Sequence, residues 1–265
     1  MRQHPRMLDS SGFGLPAPAA SESSLVFAAR RLRQACIACE LAPGTFIHEA
    51  ELARRFGLGR AAVRVALTEL AAAGFVARHA RQGWRVAGID GGLATSVVEG
   101  RRLLERALAD AVLDEGQRAH LRNGCAMMEV IGGREDAQAR AIAHRLRRQA
   151  LDLLAGKTAP LVAAWLRELW DHAERLARAL ELAGQPVAIG DLRPFWEALL
   201  AGDRQAALSA LAADQERFRA AVADAFLGAA QLAPSQPRPP MRKRRAGGTG
   251  LQPSPSPTVK EETSR

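Results

Sequence analysis

Two kinds of residue in this sequence have a spacing that suggests chemistry, and the first is a cysteine pair. Cys36 and Cys39 form a C-x-x-C, the spacing of many zinc and redox sites. No second cysteine pair and no nearby histidine supplies the other ligands of a tetrahedral zinc site. Both thiols also fall on the apolar side of a predicted helix, so we interpret them, and Cys125, as small core residues.

The second kind is an arginine pair. Arg60 and Arg64 are four residues apart, so they project from one face of a helix. A guanidinium is a planar fork that matches phosphate oxygens and guanine edges, and nearly all of the 37 basic residues are arginine. Arginines taken singly, such as Arg54, Arg55 and Arg78, are more commonly just solvated. The paired arrangement instead predicts a contact with nucleic acid.

The segment around these arginines has the organisation of a winged helix-turn-helix. Amphipathic helices are predicted at 24–39, 49–56 and 60–73. A short glycine-containing turn joins the second helix to the third, as a helix-turn-helix requires. A β-hairpin wing is predicted next, from strand-like pieces at 75–78 and 84–86 around a tip at 79–83. The start of the third helix would then meet base edges in the major groove, while flanking basic groups hold phosphates.

The run from Leu41 to Val76 resembles the DNA-binding domain of the GntR superfamily of regulators. It contains a Pro-Gly turn, a Leu-Ala pair, and Arg-x-x-Val-Arg-x-Ala-Leu in the recognition helix. It departs from that pattern at Ala62, where proline is common, and at Val65, where glutamate is common. The resemblance implies that DNA is contacted by Arg60, Ala61 and Arg64 of this helix and by His79, Arg81 and Gly83 of the wing. For His79, an exposed loop position without a DNA contact is the alternative.

The remainder of the chain is predicted to be helical. Between 92 and 231, alanine and leucine dominate, β-branched runs are scarce, and apolar residues recur at helical spacing. Helices are predicted at 93–115, 119–131, 134–155, 159–183, 189–201 and 203–227, with Asp203 placed to cap the last. The predicted fold is therefore mainly α, with an N-terminal winged helix-turn-helix at 24–90 and a C-terminal antiparallel all-helical bundle at 92–231.

Two segments of this C-terminal part, Ser96 to Glu105 and Glu197 to Ala207, resemble the FCD ligand-binding domain of the FadR branch of GntR regulators. The resemblance implies a homodimer and an enclosed effector pocket. Many FCD domains hold a divalent metal through an Asp and three His, and the corresponding positions here are His144, Arg148, Leu192 and Asp214. Leucine and arginine cannot ligate a metal. Since two ligands are too few for a well-held zinc site, we expect no metal and no other cofactor.

Arg148 suggests a substitute for the metal. Its guanidinium can bind an effector carboxylate through two parallel hydrogen bonds. His144 lies one turn earlier on the same face, and Arg101 or Arg102 could add a second contact. The alternative is that Arg148 pairs with Asp214 inside the bundle and holds helices together.

Composition restricts the class of protein. A formal net charge of +9 and a pI near 10.9 favour a polyanionic partner. Three cysteines, no signal peptide and no apolar run of about 20 residues predict a cytoplasmic protein. Residues 1–23 and 232–265 are rich in glycine, proline and serine, so we expect a disordered leader and a disordered basic tail.

These features predict a sequence-specific, DNA-binding transcriptional regulator, acting as a repressor of catabolic or transport genes and controlled by a small organic acid. We expect no enzymatic activity, because we find no nucleophile beside a base, no phosphate-binding glycine loop and no catalytic carboxylate pair. A second hypothesis is a basic nucleic-acid-binding protein of low sequence specificity and no effector. Such a protein would show a steep salt dependence and little preference among sequences.

Overall fold

The structure is a computed structural model, and it describes residues 23–132, 134, 136–187 and 190–232. Most of these residues are helical, in α1 (Ser24–Ile37), α2 (Glu49–Phe56), α3 (Arg60–Ala72), α4 (Gly91–Leu104), a 3-10 turn (Glu105–Asp110), α5 (Glu115–Ile131), α6 (Ala137–Ala155), α7 (Pro160–Leu182), α8 (Arg193–Ala201) and α9 (Arg204–Leu232). Strands β1 (Phe46–Ile47), β2 (Val76–His79) and β3 (Gly83–Val86) form an antiparallel sheet. Within this part of the chain, no helix is long and apolar enough to cross a membrane.

We call residues 23–90 the winged region and residues 91–232 the helical bundle. The winged region is built on α1 and α3, which share one apolar core. Ser23 caps α1, where its Oγ accepts a hydrogen bond from the Val26 amide at 3.3 Å. Further along α1, Leu32 is completely buried in the same cluster as Leu67 of α3. Burying a leucine contributes about 1.5–3 kcal/mol relative to leaving it exposed, so α1 supports the recognition helix from behind.

The wing has one strand more than the sequence predicts. β2 and β3 form the predicted hairpin, with Arg78 opposite Trp84. β1 adds to the other edge of β3, with Phe46 opposite Arg85, and gives the order β1-β3-β2. A strand of two residues is too short to show the alternation by which strands are recognised in a sequence.

The helical bundle differs most from prediction near Leu104. The prediction of one helix over 93–115 is wrong, because α4 ends at Leu104 and a 3-10 turn follows. This turn buries Leu108 in the core, and the Glu105 side chain accepts a hydrogen bond from Trp170 Nε1 at 2.9 Å. Tertiary contacts thus override a local composition that favours a continuous helix.

The core of the bundle consists of large side chains from several helices, the fully buried Leu121, Leu154, Leu166, Phe195 and Trp196 among them. The predicted cap of the last helix is confirmed, since Asp203 Oδ1 accepts a hydrogen bond from the Ala206 amide at 2.9 Å.

The winged region contacts the bundle chiefly where its helix α1 packs against α7 of the bundle. The predicted disordered ends lie almost entirely outside the described residues, and the domain boundaries stay predictions.

Candidate DNA-binding surface and effector pocket

The recognition helix α3 turns one face to the core and the other to solvent. Its buried face consists of small and branched apolar residues, Ala62, Val63, Ala66, Leu67 and Leu70. At its N-terminal end Arg60, Ala61 and Arg64 are exposed, and 71% of the Arg64 side chain is accessible. Of the two departures from the GntR pattern, Ala62 is buried and Val65 is exposed. Neither occupies the place of a cation, so the helix presents both arginines to an anionic partner.

Arg64 is held by a carboxylate that the sequence analysis missed. Glu49 Oε2 accepts a hydrogen bond from Arg64 Nε at 3.0 Å, and Glu49 Oε1 accepts one from Trp84 Nε1 at 3.3 Å. The hydrogen bond from Arg64 is the main cause that lowers the pKa of Glu49. The three residues belong to α2, α3 and β3, so this contact sets the recognition helix beside the wing. No local pattern links Glu49 to Arg64, which lie on different helices.

The wing tip depends on a backbone conformation that favours glycine. Gly83 has a φ of +89°, and a Cβ there would lie 2.9 Å from His48 Nδ1. Arg81, also at positive φ, is an exposed cation of the tip. His79 is half-buried, and its ring meets that of Phe46 edge-on with centroids 5.4 Å apart. His79 is therefore anchored to β1, whereas Arg81 is open to solvent.

The surface around α3 carries a large excess of positive charge. Residues 49–86 contain seven arginines, all exposed, and three glutamates. Some of these arginines are fixed to the backbone: Arg55 Nη2 donates to Glu40 O at 3.1 Å, and Arg85 Nε donates to Gly44 O at 2.9 Å. Such a surface attracts a polyanion and can contact several phosphates at once.

The cysteine pair lies in the interior of the winged region. Cys36 is fully buried, and burial raises the pKa of its thiol to about 11 in spite of the opposing effect of Arg175. The thiol is therefore protonated at neutral pH, which makes it a poor nucleophile and a poor metal ligand. Cys39 is half-buried, with its Sγ 3.8 Å from Arg175 O. The interpretation of Cys36 as a core residue is confirmed.

The bundle contains a cavity of about 80 Å³ that is partly open to solvent. Its apolar wall is formed by Leu151, Trp170, Ala173, Ala177, Val187 and Phe218. Its polar side chains are those of Arg101, His144, Arg147, Arg148, Glu174 and Asp214. The structure thus brings together four of the five predicted effector-binding residues. The fifth, Arg102, lies outside the cavity and pairs with Glu99 at 2.9 Å.

Asp214 is the most extensively paired carboxylate of the cavity. It is buried, and its Oδ2 accepts hydrogen bonds from Arg101 Nη2 at 2.8 Å and from Arg147 Nη2 at 2.7 Å. Arg147 Nη1 also donates to Oδ1 at 3.3 Å. Burial alone would raise the pKa of Asp214, but Arg147 and Arg101 hold it below its ordinary value. Asp214 therefore stays ionised, with both oxygens engaged.

The alternative in which Arg148 pairs with Asp214 is wrong in the partner that it names. Arg148 instead donates hydrogen bonds of 2.8 to 3.0 Å to three other carboxylates, those of Asp152, Asp171 and Glu174. Its neighbour Arg147 takes Asp214, because successive side chains on a helix point about 100° apart and face different helices. Arg148 Nη2 has no hydrogen-bond acceptor among the described residues, so it is available to a ligand.

The donor set of the cavity does not fit a divalent metal. His144, whose pKa is lowered chiefly through burial, can supply one neutral ring nitrogen, and a single imidazole is too few ligands for a divalent metal. The oxygens of Asp214 already bind guanidinium groups, and Leu192 is buried in the apolar core. The guanidinium groups around Asp214 would also repel a dication. Across the residues that the structure describes, no group of three or more His, Cys, Asp or Glu could hold a metal ion.

Comparison with known proteins finds a family model that is similar to the winged region. Residues 26–86 match the family model for bacterial regulatory proteins of the gntR family. Among solved structures, E. coli McbR/YncC is similar with a TM-score of 0.60 at 16% identity, over 77% of this chain and 99% of that one. A structure from Rhodococcus sp. RHA1, described as a transcriptional regulator GntR, has a TM-score of 0.55 at 20% identity over the same shares. No curated protein matches the sequence. At these identities the two structures show a shared fold, and the family match is confined to residues 26–86.

Proposed function

We propose that this chain, whose residues 26–86 form a DNA-binding domain of the gntR family, is a transcriptional regulator that binds operator DNA as a homodimer. It represses catabolic or transport genes and responds to a small organic acid in the cavity of the bundle. The observation that carries the DNA-binding part is the family match, together with the exposed Arg60 and Arg64 at the start of α3.

The geometry of Arg64 supports a direct contact with DNA. Glu49 engages Nε and Nη2, one edge of the guanidinium fork. The other edge remains for a guanine or a phosphate. An exposed pair of this kind contributes little to stability, so exchanging Glu49 for a phosphate costs little.

The cavity combines one available guanidinium nitrogen, Arg148 Nη2, with an apolar wall. This combination supports an organic acid as the effector. A carboxylate can reach Arg148 Nη2 and compete with Glu174, the more exposed of the carboxylates facing the cavity. The carbon skeleton of the acid then packs against Leu151, Val187 and Phe218. An apolar wall beside a polar group that can anchor the ligand is typical of sites for small organic ligands.

The DNA-binding part is tested by selecting duplexes from a random library at fixed salt and mapping the selected sequence upstream of neighbouring genes. We expect a short inverted repeat, because the two-fold axis of a dimer is mirrored in its operator. Deleting residues 92–265 should cost much of the affinity, since it removes bivalent binding. Equal competition by random duplex, with a steep salt dependence, would support the low-specificity alternative instead.

The effector part is tested with Arg148→Leu. This variant should still form the dimer and bind DNA but lose the change in operator affinity that organic acids cause, and chelators should leave the wild type unaffected. Stoichiometric binding of zinc or nickel that the effector response requires would contradict the replacement of a metal by Arg148.

A further inference from the structure

One buried carboxylate connects the effector cavity to the winged region. Asp171 on α7 is only 6% exposed. Its Oδ1 accepts a hydrogen bond from Arg148 Nη1 at 2.8 Å, and its Oδ2 accepts one from Arg33 Nη1 at 2.7 Å. Arg148 lines the cavity, whereas Arg33 belongs to α1 of the winged region. A cation from each region thus shares the same carboxylate.

The rest of the contact between α7 and the winged region leaves buried polar atoms unpaired. His172 stacks on Phe75 with ring centroids 4.2 Å apart, and its Nε2 lies 2.9 Å from Ala73 O, but its Nδ1 has no partner among the described residues. Arg175 is completely buried and donates from Nη2 to Ala87 O, while its Nε and Nη1 find no acceptor in the same part of the chain. Each such group weakens the contact. The pair between Arg33 and Asp171 adds an ion pair between α1 and α7 to these contacts.

A displacement of α1 reaches the recognition helix directly. Arg33 is adjacent to Leu32, which is buried in the core shared with α3. Since the two helices pack as a unit, α1 and the exposed Arg60 and Arg64 move together relative to the bundle. In a dimer the spacing between two recognition helices must match the spacing of the half-sites, so this position governs operator binding.

We propose that Asp171 couples the occupant of the cavity to the position of the winged region. The proposal rests on the organic-acid effector proposed above. Arg33 and Arg148 share one carboxylate and repel each other. An anion bound to Arg148 neutralises that guanidinium, so Arg33 is held more strongly at Asp171. The anion therefore stabilises the contact between α1 and α7, and by linkage an intact Arg33 tightens the binding of the anion.

The experiment compares two arginines of α1 that have different partners. Arg33→Met removes the bridge to α7. Arg31→Met is the matched control, since it removes a 2.7 Å ion pair with Glu40 inside the winged region. Calorimetric titration of the full chain with benzoate, an apolar monocarboxylate, should show an affinity lower by about fivefold or more in Arg33→Met and unchanged in Arg31→Met. In an Asp171→Asn background, Arg33→Met should have no further effect, because the shared charge is gone.

The possible results test the coupling and the effector site separately. Equal benzoate affinity in the wild type and Arg33→Met overturns the coupling, even where Arg148→Leu abolishes binding and so supports the effector site. No binding of benzoate to the wild type counts against the organic-acid effector. The coupling is then decided by thermal unfolding midpoints without ligand. The effects of Arg33→Met and Arg148→Leu must be non-additive in the wild-type chain, and additivity there overturns the coupling.

Discussion

Arginine has different roles in the two regions of this protein. In the winged region, Arg64 leaves most of its side chain exposed and bonds one carboxylate, that of Glu49. In the bundle, Arg101 leaves 5% of its side chain exposed and bonds both Glu105 and Asp214. An exposed pair is easily exchanged for another anion. A buried pair cannot lose one member without leaving an uncompensated charge. Burial therefore distinguishes Arg64, whose ion pair can be exchanged for a ligand, from Arg101, which is part of the structure.

The largest effect is expected from breaking the buried network of the bundle. Asp214→Ala leaves Arg101 and Arg147 without their shared carboxylate, so the free energy of unfolding should fall by about 3–5 kcal/mol. Urea denaturation followed by circular dichroism measures this change. The control is Asp110→Ala, which removes only an exposed pair with Arg204 and should leave the unfolding midpoint unchanged. Wild-type stability in Asp214→Ala would remove the distinction between the two regions.

At the recognition helix we expect the opposite result: substitutions should leave the stability unchanged and weaken DNA binding. Arg64→Ala should weaken operator binding by about tenfold or more, and Arg60→Ala similarly, because each removes a cation placed to reach base edges. Fluorescence anisotropy with the selected operator measures the loss, and Arg102→Ala, an exposed arginine of the bundle, is the control. Unchanged affinity in both recognition-helix variants, with dimers intact, would contradict the assignment of α3.

We expect the stability of the wing to depend on its backbone conformation, whereas the stability of the bundle depends on its buried charges. Gly83→Ala places a Cβ 2.9 Å from His48 Nδ1 at a positive φ, so we expect a loss of about 1–3 kcal/mol in unfolding free energy. Gly88→Ala is the control, since its Cβ would have no atom within 4 Å. If the two variants have the same stability, the tip does not require the conformation described.

The smallest effect concerns pH and the contact between the two regions. Burial is the main cause that lowers the pKa of His172 below its ordinary value of 6.5. The unfolded chain therefore takes up the proton at higher pH than the folded chain does. The contribution of neutral His172 to stability is complete above pH 6.5 and is lost as the pH falls through the lowered pKa of the folded state.

This dependence is measured as the unfolding free energy between pH 7.5 and 5. His172→Phe keeps a ring against Phe75 and should flatten the curve. Since the pKa of His144 is lowered as well, the comparison is made in a His144→Leu background. If the curve had the same slope with and without His172, the contact with the winged region would not lower the pKa of His172.

The winged region was the more predictable of the two regions. Its helix spacing, its glycine-containing turn and the exposure of Arg60 and Arg64 all depend on residues within a few positions of each other. The bundle was predictable in composition and in most helix boundaries, but the break after Leu104 was not. That break depends on a contact between Glu105 and Trp170, which are far apart in the sequence.

The sequence by itself determined which residues could be ligands, because a guanidinium, an imidazole or a carboxylate has the same chemistry wherever it lies. It also determined the recognition helix, whose exposed and buried faces follow from helical spacing. Only the tertiary structure decided the partners: Glu49 for Arg64, Arg147 instead of Arg148 for Asp214, and Asp171 for both Arg33 and Arg148. The rotation of one helix against another selects between adjacent residues, and that rotation is set by packing over the whole bundle and not by any local pattern.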